Sequence, residues 1–384
     1  MKRICFISGT RAEYGLLKPL IEAISDCDDF VVQIIATGMH LSPEFGLTFK
    51  EIENDGFSIN RKIEMLLSSD TASSISKSTG LGLIGFSDAY SELYPDIIVI
   101  LGDRFEMLSA SIAALYARIP IAHIHGGEST AGAFDDTIRH SITKMSWWHF
   151  VANDEYKKRV VQLGENPKRV FNVGGLGVDA IKKTKLLSKT ELTEKTGIKF
   201  NKKNLLITYH PVTLDRRSSK KYFQSLLDIL ASLDETYLIF TMPNADSDGR
   251  IIKQMINDFV LNNTQRSISF ISMGHLNYSS TMQFVDCVVG NSSSGLAEAP
   301  TFKIGTINIG DRQRGRIKAE SVIDCEAEYG SIKNAFDTLY SEDFQKKLLS
   351  VKNPYGKGNA IKKILKVLKT TTLPNELKKD FFDL

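Results

Sequence analysis

Cys287-Val288-Val289-Gly290-Asn291-Ser292-Ser293-Ser294-Gly295-Leu296-Ala297-Glu298 passes from an apolar, β-branched run into a turn of small residues and then into helix-forming sequence. That order predicts a strand, a tight turn and a helix start, the unit with which doubly wound α/β sheets bind phosphates. Small side chains let a phosphate approach backbone N–H groups, the serine hydroxyls add donors, and the helix dipole favours negative charge. Glu298, one turn further on, is placed to accept hydrogen bonds from ribose hydroxyls. A serine-rich helix cap that binds nothing has the same sequence, so the stretch decides fold before function.

Outward from this stretch, strand-like and helix-like segments alternate. Short runs at 3–8, 31–37, 96–101, 121–125, 149–152 and 170–173 precede a second series at 205–209, 237–242, 268–271, 287–289 and 306–309. Amphipathic stretches such as 13–25 and 105–117 lie between them, which predicts parallel strands joined by right-handed crossovers. The turn Gly174-Gly175-Leu176-Gly177 and the lysine-rich stretch after it divide the series. The expected fold is α/β, with two Rossmann-like doubly wound domains over 1–175 and 176–384. A terminal helix over about 360–384 is expected to pack back on the first domain. Ligands of such sheets bind beyond the carboxyl ends of the strands, so the expected site is the cleft between the domains.

Composition bounds the partners. The 384 residues suffice for two cores, and 48 Lys and Arg against 45 Asp and Glu give a net charge of +3. That mild, scattered charge argues against a nucleic-acid footprint. The start Met1-Lys2-Arg3 leads straight into a short apolar run, and no long apolar stretch suggests a membrane span, so a cytoplasmic protein is expected. Cys5, Cys27, Cys287 and Cys325 are widely spaced without a CxxC pair, which predicts buried reduced thiols.

Each predicted strand exit carries chemistry. Gly9-Thr10-Arg11-Ala12-Glu13 offers a permanent cation, Arg11, for a diphosphate. Gly102-Asp103-Arg104 places a carboxylate beside a guanidinium, and Asp103 reads equally as a catalytic group or as a helix N-cap paired with Arg104. His123-Ile124-His125-Gly126-Gly127-Glu128 follows, with Asp135, Asp136, Arg139 and His140 on the next helix. Asp136 and His140 share a helix face, and Asp135 and Arg139 a neighbouring one. Clustered carboxylates raise one another's pKa, so one can serve as acid while another serves as base. The His-X-His spacing also permits a metal site, but the glycine pair breaks the strand regularity such a site needs, and no metal is expected. In the second half, His210 of Tyr209-His210-Pro211 and Asn244 of Pro243-Asn244-Ala245-Asp246 are candidates for the diphosphate or the departing oxygen. Gly310-Asp311-Arg312-Gln313-Arg314-Gly315-Arg316 adds three guanidiniums after a strand, for phosphate binding, domain closure or a solvated loop.

Taken in order, these motifs resemble the hydrolysing UDP-N-acetylglucosamine 2-epimerases of the bacterial sialic-acid-pathway type. The likeness extends through Ile138-Arg139-His140-Ser141-Ile142-Thr143-Lys144 and Asn308-Ile309-Gly310-Asp311-Arg312-Gln313, and covers nearly the whole chain. It implies the two-domain GT-B type, no cofactor or metal, a UDP-sugar substrate, and a homodimer or dimer of dimers. It also implies that Arg11, His210, Asn244, Ser292, Ser293, Glu298 and Arg312 hold UDP, with Ser294 and Gly295 in the same turn, and that Asp103 and Asp135 are catalytic carboxylates. Several relatives, including the animal enzyme, carry Glu where His125 stands, so that role falls to His125 or to Glu128. Thr37-Gly38-Met39-His40 replaces the Thr-Gly-Gln-His of the non-hydrolysing branch, which favours the hydrolysing one.

The implied reaction removes the weakly acidic C2 proton as UDP leaves C1, then hydrates the resulting glycal with reprotonation of C2 on the opposite face. A single carboxylate cannot easily reach both faces, so Asp103, Asp135 and one of His125 or Glu128 are expected to flank the sugar, tuned by Asp136 and His140. The same chemistry on UDP-2,4-diacetamido-2,4,6-trideoxy-glucose, in legionaminic acid synthesis, is the nearest alternative to UDP-N-acetylglucosamine. A GT-B glycosyltransferase is a more distant one.

Overall fold

The structure, a computed structural model, describes residues 1–69, 71–131, 133–211, 219–243 and 249–384. The chain forms two compact units: Met1–Glu128, Asp135–Lys183 and Tyr355–Leu384 make the first, and Ser129–Phe134 with Thr184–Pro354 the second. The crossing falls after Lys183, so helix Leu176–Lys183 belongs to the first unit.

The first unit contains β1 (Lys2–Ser8), β2 (Phe30–Thr37), β3 (Arg61–Ile63), β4 (Ile97–Leu101), β5 (Ile121–Ile124), β6 (Trp148–Val151) and β7 (Val170–Asn172). They form one sheet in the order β3-β2-β1-β4-β5-β6-β7, and every pairing is parallel. Alternation within β1 and β4 explains how both faces are covered. Ile4, Phe6, Ile97, Val99 and Leu101 enter one core, while Cys5, Ile7, Ile98 and Ile100 enter the other. A strand buried on both faces reads as a continuous apolar run, which is why these two were evident in the sequence. Each such side chain contributes about 1.5–3 kcal/mol by leaving water.

The second unit repeats the plan with β8 (Lys203–Thr208), β9 (Thr236–Thr241), β10 (Ser267–Phe270), β11 (Cys287–Gly290), β12 (Gly305–Ile309) and β13 (Val322–Cys325). Its order is β10-β9-β8-β11-β12-β13, again all parallel. Leu205, Ile207, Cys287 and Val289 face one core, and Leu206 and Val288 the other. In both units the order reverses beside the first strand, between β1 and β4 and between β8 and β11. Doubly wound sheets bind ligands at this point, beyond the carboxyl ends of the strands.

Three expectations need correction. The edge strands β3 and β13 are additional to those read from sequence; Arg61-Lys62-Ile63 leaves its two cations exposed, as an edge permits. The terminal helix runs only over Ala360–Thr370, because Pro374 and its predecessor disfavour helical geometry. Its residues Ala360, Ile361, Ile364 and Leu368 join the first unit's core, and Asp179 accepts the N–H groups of Asn359 and Ala360, each at 2.8 Å. All four cysteines are free, but only Cys5 and Cys287 are fully buried; Cys27 and Cys325 are partly exposed. Among the described residues no helix is long and apolar enough to cross a membrane.

Candidate active site

The first unit's switch point is built from three strand exits. After β1, Thr10 caps helix Arg11–Ser25: its hydroxyl accepts the Glu13 N–H at 3.3 Å, and Glu13 Oε2 accepts the Gly9 and Thr10 N–H groups at 2.8 and 3.0 Å. Arg11 is the first residue of that helix and is half-buried. The Glu13 carboxyl is pushed up to about 7, first by burial and then by the Glu106 charge, with Arg104 and the two N–H donors opposing. Glu106 is wholly buried, with Arg104 Nε 3.3 Å from its Oε2. A Cβ on Gly38, at φ 57°, would come within 2.8 Å of Glu106 Oε1, so the turn after β2 needs glycine.

After β4, the chain turns through Gly102 at φ 84° to Asp103. The next helix begins at Phe105 with Arg104 at its N-cap, so Asp103 is not the cap. Its carboxylate instead pairs with the buried guanidinium of Arg139. Arg139 Nη1 also donates to the Glu128 carbonyl at 2.9 Å and lies 3.6 Å from Asp136 Oδ1. Arg139, which shares a helix face with Asp135, is the hub for Asp103, Asp136 and the Glu128 backbone. A planar, permanently charged fork suits that role. Asp135 is half-buried on the first turn of helix Phe134–Met145. Asp136 Oδ2 lies 3.6 Å from His140 Nε2, and burial is the first cause holding the His140 pKa below its ordinary value.

After β5 the two histidines part. His123 is fully buried; Nε2 meets the Gly102 carbonyl at 2.9 Å and Nδ1 the Thr143 hydroxyl at 3.2 Å, so the ring braces the turn before Asp103. Burial pushes it down to about 3, so it is neutral at physiological pH. His125 is beyond the strand end, at φ 66°. Its Nδ1 is 3.3 Å from Glu128 Oε1, and its Nε2 accepts the Leu176 N–H at 3.2 Å. The glycine pair has steric reasons: a Cβ on Gly127 would meet the Tyr156 carbonyl oxygen at 2.4 Å, and one on Gly126 the His123 ring at 3.1 Å. Among the described residues, no group of three or more His, Cys, Asp or Glu side chains is arranged to hold a metal ion.

The second unit's switch point is tied by Asn291. Gly290 has φ 133°, and a Cβ there would come within 2.0 Å of the Thr208 carbonyl oxygen, so β11 passes too close to β8 for any other residue. Asn291 is buried, accepts the His210 N–H through Oδ1 and donates to the His210 carbonyl through Nδ2, each at 2.7 Å. Its own carbonyl receives Arg312 Nη1 at 3.2 Å and Gln313 Nε2 at 2.7 Å. One amide thus joins His210, Arg312 and the serine turn. The sequence motifs assign Asn291 and Gln313 no role; for Asn291 the available signal is a polar amide directly after a strand-ending glycine.

Ser292 Oγ lies 3.2 Å from Ser294 Oγ, which also meets the Tyr278 hydroxyl at 2.6 Å. The helix after Ser293 is a single turn, Ser294–Ala297, followed by the 3-10 turn Ala299–Phe302 that contains Pro300. So short a helix contributes little dipole, and donors here are backbone N–H groups and hydroxyls. Gly295 is explained by packing, since a Cβ would meet Thr306 Cγ2 at 2.6 Å. Glu298 keeps part of its surface exposed, yet desolvation pushes its carboxyl up to about 7. Arg316 Nε and Nη2 donate to the Ser129 carbonyl and the Thr130 hydroxyl at 3.0 and 3.1 Å, within the same unit. Asn244 lies outside the described residues.

Two all-parallel sheets of Rossmann order, each with polar residues gathered at its switch point, define the GT-B fold class of nucleotide-sugar proteins. A solved UDP-GlcNAc 2-epimerase from Neisseria meningitidis, bound to UDP-GlcNAc, matches with TM-score 0.81 and 20% identity over 97% of this chain and 100% of that one. The family model for UDP-N-acetylglucosamine 2-epimerase matches residues 22–369, and the chain belongs to that family. It is 46% identical, over 100% of its length and 99% of the relative's, to the hydrolyzing GDP/UDP-N,N'-diacetylbacillosamine 2-epimerase of Campylobacter jejuni. It is 37% identical, over 100% of its length and 98% of the relative's, to the polysialic acid biosynthesis protein P7 of Escherichia coli.

Proposed function

We propose that the protein is a hydrolysing 2-epimerase whose substrate is a UDP-2,4-diacetamido-2,4,6-trideoxy sugar. The observation that carries the sugar assignment is the full-length 46% identity to a hydrolyzing diacetylbacillosamine 2-epimerase. UDP-N-acetylglucosamine, the substrate first expected from the motifs, is the second reading, favoured by the match to the UDP-N-acetylglucosamine 2-epimerase family model.

In this reading Arg11, His210, Asn244, Ser292, Ser293, Ser294, Gly295, Glu298 and Arg312 hold UDP. Asp103, Asp135, Asp136 and the His125–Glu128 pair serve the sugar. The C2–H electron pair becomes the C1–C2 π bond as the C1–O bond breaks and UDP departs with its pair; the proton passes to a carboxylate. Water then adds to C1 and loses a proton, while the π pair takes a proton at C2 from a second acid on the other face. The Asp103–Arg139–Asp136 cluster supports this assignment because it holds carboxylates at fixed orientation around one buried cation. General acid–base groups of this kind contribute about 10²–10⁴-fold each.

The test is NMR product analysis in deuterated water with both UDP-sugars in parallel. The expected result is faster turnover of the diacetamido sugar, giving UDP and a free 2-epimerised sugar with deuterium at C2. Preferential turnover of UDP-N-acetylglucosamine moves the substrate to the second reading, and a product without C2 deuterium contradicts the elimination mechanism.

A further inference from the structure

The His125 imidazole is held at both nitrogens. Its φ of 66° lies in the left-handed region that a non-glycine residue rarely adopts, and its own N–H is anchored on the Phe150 carbonyl at 2.9 Å. Nε2 stands 3.2 Å from the Leu176 nitrogen. A backbone N–H can only donate, so Nε2 must present its lone pair there, and the proton of the neutral ring is on Nδ1. Nδ1 in turn lies 3.3 Å from Glu128 Oε1. Leu176 opens helix Leu176–Lys183; the positive end of that dipole and the N–H pointing at Nε2 oppose a second proton there, against the Glu128 carboxylate at Nδ1, which favours one. An imidazole whose lone pair is engaged by a backbone donor has nothing with which to take a proton from carbon.

We propose that His125 is a positioning residue, locked as the neutral Nδ1–H tautomer, and that Glu128 exchanges the proton with the sugar at this strand exit. The second half rests on the 2-epimerase reading above. The Nδ1–H group aims the buried Glu128 carboxylate, which Gly127 and the Arg139 contact to the Glu128 carbonyl fix from the backbone side. Glu128 is then one of the two groups that between them take the C2 proton on one face and return one on the other.

Nitrogen-15 NMR of the histidine-labelled wild-type protein reads the tautomer without turnover. The expected result is an unprotonated Nε2 and a protonated Nδ1, unchanged between about pH 6 and 8. A protonated Nε2, or titration within that window, overturns the positioning role. On the diacetamido UDP-sugar, Glu128→Gln is expected to lower kcat about 100-fold or more, with Glu128→Asp recovering part of the loss. His125→Asn keeps an N–H near the Nδ1 position and tolerates positive φ; it should lower kcat about ten-fold or less and shift the pH profile of kcat. Near-normal turnover by Glu128→Gln, or a larger loss in His125→Asn than in Glu128→Gln, overturns the assignment of Glu128. Unchanged UDP affinity certifies that each variant is folded. Wild-type protein inactive on both UDP-sugars overturns the epimerase reading and the Glu128 role with it, whereas the tautomer stands or falls on the NMR result.

Discussion

Beyond β4 and β5 the first unit buries a guanidinium, carboxylates and imidazoles: Arg139, Glu106, Glu128 and His123. Around β8 and β11 the second unit, with the same strand order, buries chiefly amides and hydroxyls, among them Asn291, Gln313, Thr208 and Thr306, with the His210 imidazole beside them. Under the proposed function that difference is one of task. Groups that ionise can move protons, and they are held by a buried cation that fixes where charge resides. Amides and hydroxyls present fixed dipoles that hold an anion without changing its protonation. One topology thus supplies two crevices, and the side chains beyond the strand ends decide what each does.

The strongest way to break the comparison is at Asp103. Asp103→Asn keeps the shape and a hydrogen-bonding oxygen beside Arg139 but removes the carboxylate. It is expected to lower kcat by about 10³-fold while leaving the UDP dissociation constant within roughly two-fold, measured by UDP release and by calorimetry. Equal loss of both would show that the first unit's charges serve nucleotide binding as well. In the second unit, Asn291→Ala removes both bonds to His210 and leaves buried backbone groups unpaired, at roughly 1–3 kcal/mol each. UDP affinity should fall at least about ten-fold, and amides of β8 and β11 should lose hydrogen-exchange protection. Loss of protection with unchanged UDP affinity would make Asn291 a strut with no part in the nucleotide site.

What the sequence revealed follows the same division. β1, β4, β8 and β11 were legible because both faces are buried and their apolar runs are unbroken. β3 and β13 were not, since an edge strand of three or four residues with exposed polar side chains has no such signature. Asp103, His125, Glu128 and Asp136 stand out in the sequence because each follows a strand or opens the next helix. Their partners were hidden because contacts such as Arg139 with Asp103, Asn291 with His210 and Leu176 with His125 join distant segments. Helix-face spacing sees only neighbours three or four residues apart, such as Asp136 with His140, and cannot see Asp103 across the sheet from Arg139.

The finest test of the comparison is Glu298, because each unit holds a carboxyl near 7 for a different reason. Glu13 is raised by burial together with the Glu106 charge and is opposed by Arg104 and two N–H donors; Glu298 is raised by burial alone. If Glu298 accepts ribose hydroxyls, UDP binds its ionised form, and affinity must weaken as pH falls through 7. Between pH 7 and pH 6 that linkage amounts to roughly a five-fold rise in the dissociation constant. The terminal phosphate of UDP titrates near pH 6 and adds its own dependence, so the informative quantity is the difference between wild type and Glu298→Gln. The variant should retain the phosphate's share and lose the carboxyl's, in calorimetric titrations at the two pH values. Identical pH dependence in both proteins would place Glu298 outside the nucleotide contacts. The second unit's recognition of UDP would then rest on its other groups, the serine turn together with the His210 and Arg312 that Asn291 holds.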